Sequence, residues 1–241
     1  MKDNEILVNC AKCERPVCNS TAYNEGPDNC PIKVLPEVIK KTAGRYSQSD
    51  VHEFALNASR QEGSGYIRLP HSPAGPSPVK SRIEEVMELS GRMGYKRLGL
   101  AYCGGVQFEA SLLVPVLENR GFEVVSVCCK CGGVPKENLG MEDWEKVNPG
   151  HFEAMCNPIA QAEILNSYET DFNLVMCLCV GHDSLFLKNS NALCTVIAAK
   201  DRLYGHAPLN ALYQSKSYHR RLLAKSSDAD AAKKPERDRS I

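Results

Sequence analysis

The chain has no surplus of charge of either sign: Lys plus Arg and Asp plus Glu each number 29 in 241 residues. That balance gives nucleic acid or an anionic membrane surface nothing to select, so neither is expected as a partner. No apolar run approaches the ~20 residues of a membrane span. The opening "MKDNEILVNC" lacks the apolar stretch of a secretory signal, which makes the cytoplasm the expected location. Neither G-x-G-x-x-G nor a Walker loop occurs, leaving little reason to expect a nucleotide site. Cysteine, by contrast, is abundant, with twelve residues. In a thiol-reducing compartment such a count points to metal or catalysis before disulfides. For any single cysteine, packing as a small hydrophobe is the plain alternative.

Composition divides the chain into four regions. Residues 1–35 are rich in cysteine and proline and show no sustained periodicity. Residues 36–78 hold helix and then "PHSPAGPSP", which reads as a linker or loop. Within them Val51, Phe54, Ala55 and Ala58 fall at helical spacing, with Asp50 and Glu53 as a candidate capping pair. Residues 79–223 alternate helix and strand. Residues 224–241, including "KSSDADAAKKPERDRSI", are charged, almost without large apolar side chains, and read as disordered.

The alternation in the third region sets the fold class. "SRIEEVMELSGRMG" starts a helix with Ser81 and Glu84 at capping-box spacing and Ile83, Val86, Met87 and Met93 as its stripe. "KRLGLAYC", "FEVVSVCCKC", "FNLVMCLC" and "LCTVIAAKD" read as strands. "QFEASLLVPVLENRG", "CNPIAQAEILN" and "HDSLFLKNS" read as the helices between them, the first kinked at Pro115 and the second capped by Asn157 with Pro158 at N1. Near-continuous apolar strands joined through helices predict a parallel sheet covered on both faces. The expected architecture is a Rossmann-like or flavodoxin-like α/β fold of about four to five strands, preceded by the cysteine-rich segment.

Two cysteine constellations carry the chemistry. Cys10, Cys13, Cys18 and Cys30 make C-x2-C-x4-C-x11-C within a segment too poor in apolar residues to fold alone. Four thiolates can close a tetrahedral zinc site or hold an iron–sulfur cluster, and the metal would supply the order. The second set is dispersed. In an open parallel sheet ligands bind beyond the carboxyl ends of the strands, and that is where Cys103, Cys128, Cys129, Cys131, Cys177 and Cys179 fall. Cys156 stands just before a helix start, where the dipole favours thiolate. Cys103, Cys129, Cys156 and Cys179 are the expected converging four, with Cys131 as substitute. Cys128, Cys177 and Cys194 read as packing residues.

Gly104, Gly105, Gly132, Gly133 and Gly181 lie at the same edge, where glycine lets backbone approach a cluster or phosphate closely. His182 and Asp183 could be acid–base groups or partners that orient a ligand. Asp183 reads slightly better as a plain N-cap. Lys200, Asp201, Arg202 and His206 follow the last strand, where a loop salt bridge is the plain reading. Lys130 and Lys136 could neutralise an anionic cluster or substrate, or face water.

Several blocks carry a family resemblance: "RIEEVMELSGRMGYKRLGLAYCGG", "GFEVVSVCCKCGGVPKENLG", "FEAMCNPIAQAEILN" and "NLVMCLCVGHDSLFLKNSNALCTVIAAKDRLYGH". Over about residues 10–222 the chain resembles the prokaryotic family called domain of unknown function 1847. That resemblance implies metal binding, since members are often labelled predicted metal-binding proteins, and it implies no activity. Where the family usually has "GHNP" this chain has "GHAP". A side-chain role at Ala207 is therefore not implied, and His206 stays a candidate.

Three functions remain open. The leading one is a metalloprotein with a structural or electron-relay site at the N-terminus and a reactive sheet-edge site. Zinc or iron–sulfur would be the metal, and an unidentified small molecule or redox protein the partner. There His182 and Lys200 would donate protons beside Cys179. The second is a zinc-stabilised sensor or adaptor whose inner cysteines only pack. The third is a metal-free thiol enzyme with Cys156 as nucleophile and His182 as base. The expected converging four, Cys103, Cys129, Cys156 and Cys179, include no C-x-x-C pair, which argues against thioredoxin-like chemistry.

Overall fold

The computed structural model describes residues 6–68 and 75–225. Residues 70–74 of "PHSPAGPSP" and all of 226–241 lie outside them, and with them the expected linker's first part and the expected disordered tail. The chain forms two compact units, Met1–Lys80 and Ser81–Ile241.

In the first unit, α1 (Pro31–Val34), α2 (Pro36–Arg45) and α3 (Ser49–Ser64) follow a cysteine-bearing segment. The α3 stripe is as expected: Val51, Phe54, Ala55 and Ala58 are half-buried, and Gln61 is buried. The start of α3 differs. Its N-cap is Gln48, without a side-chain cap, which places Asp50 inside the first turn rather than at the cap. There its charge complements the helix dipole. Strand β1 (Tyr66–Ile67) pairs antiparallel with β2 (Ser77–Pro78). The end of the proline-rich stretch is therefore a short strand and not loop, which Pro78 tolerates because a two-strand ribbon asks little of its missing N–H.

In the second unit, α4 (Arg82–Arg92) begins at the expected capping box, where Ser81 Oγ accepts from the Glu84 N–H and the Glu84 carboxylate from the Ser81 N–H. There follow β3 (Arg97–Tyr102), α5 (Gln107–Glu118), β4 (Glu123–Cys128), α6 (Pro158–Ser167), β5 (Phe172–Met176), α7 (His182–Asn189), β6 (Leu193–Ala198) and α8 (Leu209–Tyr213). Helix α5 runs on through Pro115 to Glu118.

Strands β3 to β6 form one parallel sheet in the order β4-β3-β5-β6, flanked by helices. Numbered along the sheet this is 2-1-3-4, the first four places of a flavodoxin-like order, with the switch point between β3 and β5. The central strands are buried almost throughout, as two covered faces require. The edge strands β4 and β6 are only half-buried, because each has a neighbour on one side alone.

Leu98, Leu100, Leu117, Leu165, Phe172, Leu174 and Phe186 are the large fully buried side chains, each contributing roughly 1.5–3 kcal/mol. One close approach inside this core depends on glycine. A Cβ at Gly99 would stand 1.9 Å from Asn173 Oδ1. That amide is fixed from two sides: Thr170 Oγ1 donates to Oδ1 at 2.8 Å, and Nδ2 donates to Ser190 Oγ at 2.8 Å.

Candidate functional site

The carboxyl ends of β3, β4 and β5 bring thiols to the switch point. Backbone pairing does the positioning. The Cys129 N–H donates to Tyr102 O at 2.8 Å, and Cys129 O accepts from the Asn157 N–H at 2.7 Å. Cys129 is thus bracketed by the residue before Cys103 and the residue after Cys156. The Cys103 N–H in turn reaches Met176 O at the end of β5.

The connection from β4 to α6 is long and folds back on itself. Pro135 bridges Ala154, and the Met155 N–H donates to Val134 O at 2.7 Å. Lys136 pairs with Glu153, both largely buried, and buried Lys146 pairs with Glu137 and Asp143. These ties return Cys156 to the sheet edge. Lys136 is therefore committed to Glu153, whereas the Lys130 Nζ donates to Ala154 O at 2.5 Å, two residues before Cys156 in sequence.

The thiols of Cys103 and Cys156 are both close enough to that of Cys129 to act on its ionisation, and it on theirs. With one S–H proton, Cys129 can donate to only one of them at a time. Those two neighbours, with burial, push its pKa far up, against the Gly104 N–H, which donates to its sulfur at 3.3 Å. The flanking thiols move the other way. Cys129, the Gly105 N–H and the Lys200 ammonium at 3.2 Å hold Cys103 down to about 4, against burial. Cys129, with the charges of Lys130 and His182, lowers Cys156 to about 5. The edge is a row of three thiols with a cation at each end, Lys200 by Cys103 and Lys130 by Cys156.

Three of the four expected convergent cysteines thus meet. The fourth, Cys179, takes a hydrogen bond from Arg202 at 3.0 Å instead. Strand β5 ends at Met176, and Cys177 adopts φ +54°, so strand alternation does not govern where Cys179 points. Cys131 Sγ contacts Asn157 O at 3.8 Å, and burial raises the Cys131, Cys177 and Cys194 thiols.

Gly104 and Gly105 open a short turn after Cys103, and their N–H groups serve sulfur. A Cβ on Gly105 would come within 3.2 Å of Lys200 Nζ. Gly181, at φ +84°, is the N-cap residue of α7. Asp183 is consequently inside that helix rather than its cap, and its carboxylate accepts from the Ser184 N–H at 2.8 Å. His182 Nδ1 is buried and has no hydrogen-bond partner among the described residues. Among the described residues Asp201 makes no salt bridge. Its carboxylate accepts the N–H groups of Leu203 and Tyr204, and its own N–H donates to His206 Nδ1 at 3.2 Å. The turn thus built carries Lys200 and Arg202, which reach two different thiols.

Gln161 was not legible as a site residue. Its buried Nε2 donates to Tyr102 O at 3.2 Å and Val127 O at 2.7 Å, pinning α6 across the ends of β3 and β4. The only hint in the sequence is a polar residue on an otherwise apolar helix face.

In the first unit, Cys10, Cys13, Cys18 and Cys30 line one pocket of about 70 Å³. The Cys13 N–H donates to Cys10 O at 3.1 Å, closing the C-x2-C turn. A Cβ on buried Gly26 would stand 2.9 Å from Cys30 Sγ, so that thiol needs glycine beside it. Four soft donors around one small pocket match a tetrahedral thiolate-preferring ion in kind. Among the described residues no three Cys, His, Asp or Glu side chains already stand in metal-ligand geometry.

A parallel sheet whose strands end in thiols, with a four-cysteine segment before it, makes this a cysteine-rich α/β protein. The chain belongs to the family described as "Protein of unknown function (DUF1847)", which it matches over residues 30–197. It is 36% identical over 216 residues to the uncharacterized protein MJ0455 of Methanocaldococcus jannaschii, covering 90% of this chain and 98% of that one. Among the described residues no helix is long and apolar enough to cross a membrane.

Proposed function

We propose that the protein is a metal-stabilised thiol redox protein with two separate cysteine sites. Cys10, Cys13, Cys18 and Cys30 hold one soft metal ion, with zinc preferred over an iron–sulfur cluster because four thiolates satisfy it without further groups. Bound there, the ion would supply folding free energy to a segment with few apolar side chains.

The sheet edge is the functional centre. Cys103, Cys129 and Cys156 cycle between a thiol form and a disulfide form. The observation that carries this reading is Cys129 held by backbone bonds between the Cys103 and Cys156 segments, with the Lys200 ammonium 3.2 Å from Cys103 and Lys130 near Cys156. Thiolates held by cations are the reactive form of cysteine. His182 and Lys200 tune those thiolates, and Cys179 with Arg202 forms the outer wall.

Anaerobic purification with elemental analysis, a visible spectrum and diamide oxidation tests the reading. The expected result is one zinc per chain, no visible absorbance, and a diamide-induced disulfide that includes Cys129. Iron with labile sulfide that disappears in Cys129→Ser would overturn it.

A further inference from the structure

We propose that Cys156 and Cys129 act as a dithiol that reduces small anionic disulfides, with Cys156 attacking, Cys129 resolving and Cys103 taking up the proton. This rests on the thiol redox reading of the sheet edge and names its substrate class and the order of its steps.

Exposure fixes which sulfur meets the substrate. Cys103 is 8% exposed and Cys129 2%, whereas Cys156 is half-buried. Only Cys156 can meet a molecule from solvent without the edge opening. Its neighbourhood fixes the sign of the substrate: the Lys130 ammonium, held at Ala154 O two residues away, acts on this sulfur. A disulfide carrying carboxylates is drawn to such a site, and a cationic one is repelled. Contact fixes the resolving residue. The Asn157 N–H donates to Cys129 O at 2.7 Å, which holds the two segments side by side, and Cys129 is the thiol that acts on Cys156.

The steps balance without any further reagent. The Cys156 thiolate attacks one sulfur of the substrate, R–S–S–R. That bond breaks, one R–S⁻ leaves, and a mixed disulfide forms on Cys156. Cys129 passes its proton to the Cys103 thiolate, which Lys200 and the Gly105 N–H hold within reach. The Cys129 thiolate then attacks Cys156 Sγ and expels the second R–S⁻. The substrate gains two electrons, the protein keeps a Cys129–Cys156 disulfide, and Cys103 ends as a thiol.

The pair is invisible to a search for C-x-x-C, because its members lie on opposite sides of the long β4–α6 connection. The chemistry that motif supplies from neighbouring positions is assembled here across space.

The test uses the reduced full chain and 5,5′-dithiobis(2-nitrobenzoate), an anionic aromatic disulfide, followed by non-reducing peptide mapping. Wild type is expected to end with a Cys129–Cys156 disulfide. Cys129→Ser should stop with thionitrobenzoate on Cys156. Cys103→Ser should form that adduct at the wild-type rate and resolve it about tenfold or more slowly. Neutral 4,4′-dithiodipyridine should lose roughly tenfold in rate relative to the anionic reagent, each rate normalised to a free thiol. High salt should erase that difference.

An adduct on Cys103 in the Cys129→Ser chain, or a wild-type Cys156 adduct that persists, would overturn the proposal. Circular dichroism on Cys129→Ser and a second variant, Cys129→Ala, separates lost chemistry from lost fold. Diamide distinguishes the two levels of failure. No disulfide at all within the cluster sinks the redox reading itself. A diamide-formed Cys129–Cys156 bond with Cys156 untouched by the anionic reagent sinks only this proposal.

Discussion

The Lys200 ammonium lies 3.2 Å from the Cys103 sulfur, joining the loop after β6 to the end of β3. A thiolate with burial against it needs such a partner, and the Cys129 thiol and Gly105 N–H complete the set. Lys200→Met should therefore raise the Cys103 thiolate titration, read by its ultraviolet absorbance, by about one unit from its position near 4. An unchanged midpoint would leave Lys200 without an electrostatic role.

Cys156 should stay reactive well into acid. Its pKa is lowered to about 5, so the thiolate persists above that pH and is lost only as pH falls through it. Alkylation by iodoacetamide at Cys156, followed by mass spectrometry, should be nearly flat from pH 8 to about 6. An ordinary thiol loses its thiolate below a pKa of ~8.5. A rate at Cys156 that falls tenfold per pH unit from pH 8 downward contradicts the assignment.

Gly99→Ala should destabilise the second unit by about 2–4 kcal/mol in urea unfolding, because the new Cβ overlaps Asn173 Oδ1. Adding Asn173→Ala should recover part of that loss and not all of it, since Leu165 Cδ1 would also stand 2.8 Å from the new atom. Full additivity of the two losses would show that the contact is not the cause.

Gln161→Leu removes two buried hydrogen bonds from the ends of β3 and β4. A cost of about 1–3 kcal/mol is expected. The informative readout is the diamide-induced disulfide, which should form more slowly as α6 loosens from the sheet. Wild-type disulfide formation at reduced stability would limit Gln161 to a structural role.

Gly26→Val should lower the zinc content of the purified chain while leaving the sheet-edge thiols titrating as before. Its side chain would collide with Cys30 Sγ in the N-terminal pocket. Equal loss at both sites in elemental analysis and thiol titration would contradict two separate cysteine sites.

Much of the second unit was legible because each element announces its ends. Ser81 with Glu84, and Asn157 with Pro158, are short-range signals that depend only on neighbouring residues, and both helices start where expected. The strands were legible from apolar runs, and Cys103, Cys129 and Cys156 followed from topology alone. Cys179 did not, because the reading continued β5 past Met176. The left-handed turn at Cys177 ends the strand's alternation, and no residue type there signals it. The helix starts at Gln48 and Gly181 were misplaced for a related reason. An acidic residue near a helix start suits the cap and the first turn alike, and Asp50 and Asp183 both occupy the turn. Gln161 was beyond reach because its partners are backbone carbonyls distant in sequence, which leave no pattern of their own.

Among the described residues the order β4-β3-β5-β6 stops where a flavodoxin-like sheet would add one more strand beside β6. The segment following β6 instead folds on Asp201 into a turn that sends Lys200 and Arg202 to the thiols. Extending the sheet and supplying cations to it are thus competing uses of one stretch of chain. A graft that completed the fifth strand would gain a neighbour for an exposed edge and leave the thiols with fewer counter-charges. In this architecture the stretch that could have become a further strand supplies Lys200 and Arg202 to the thiols instead.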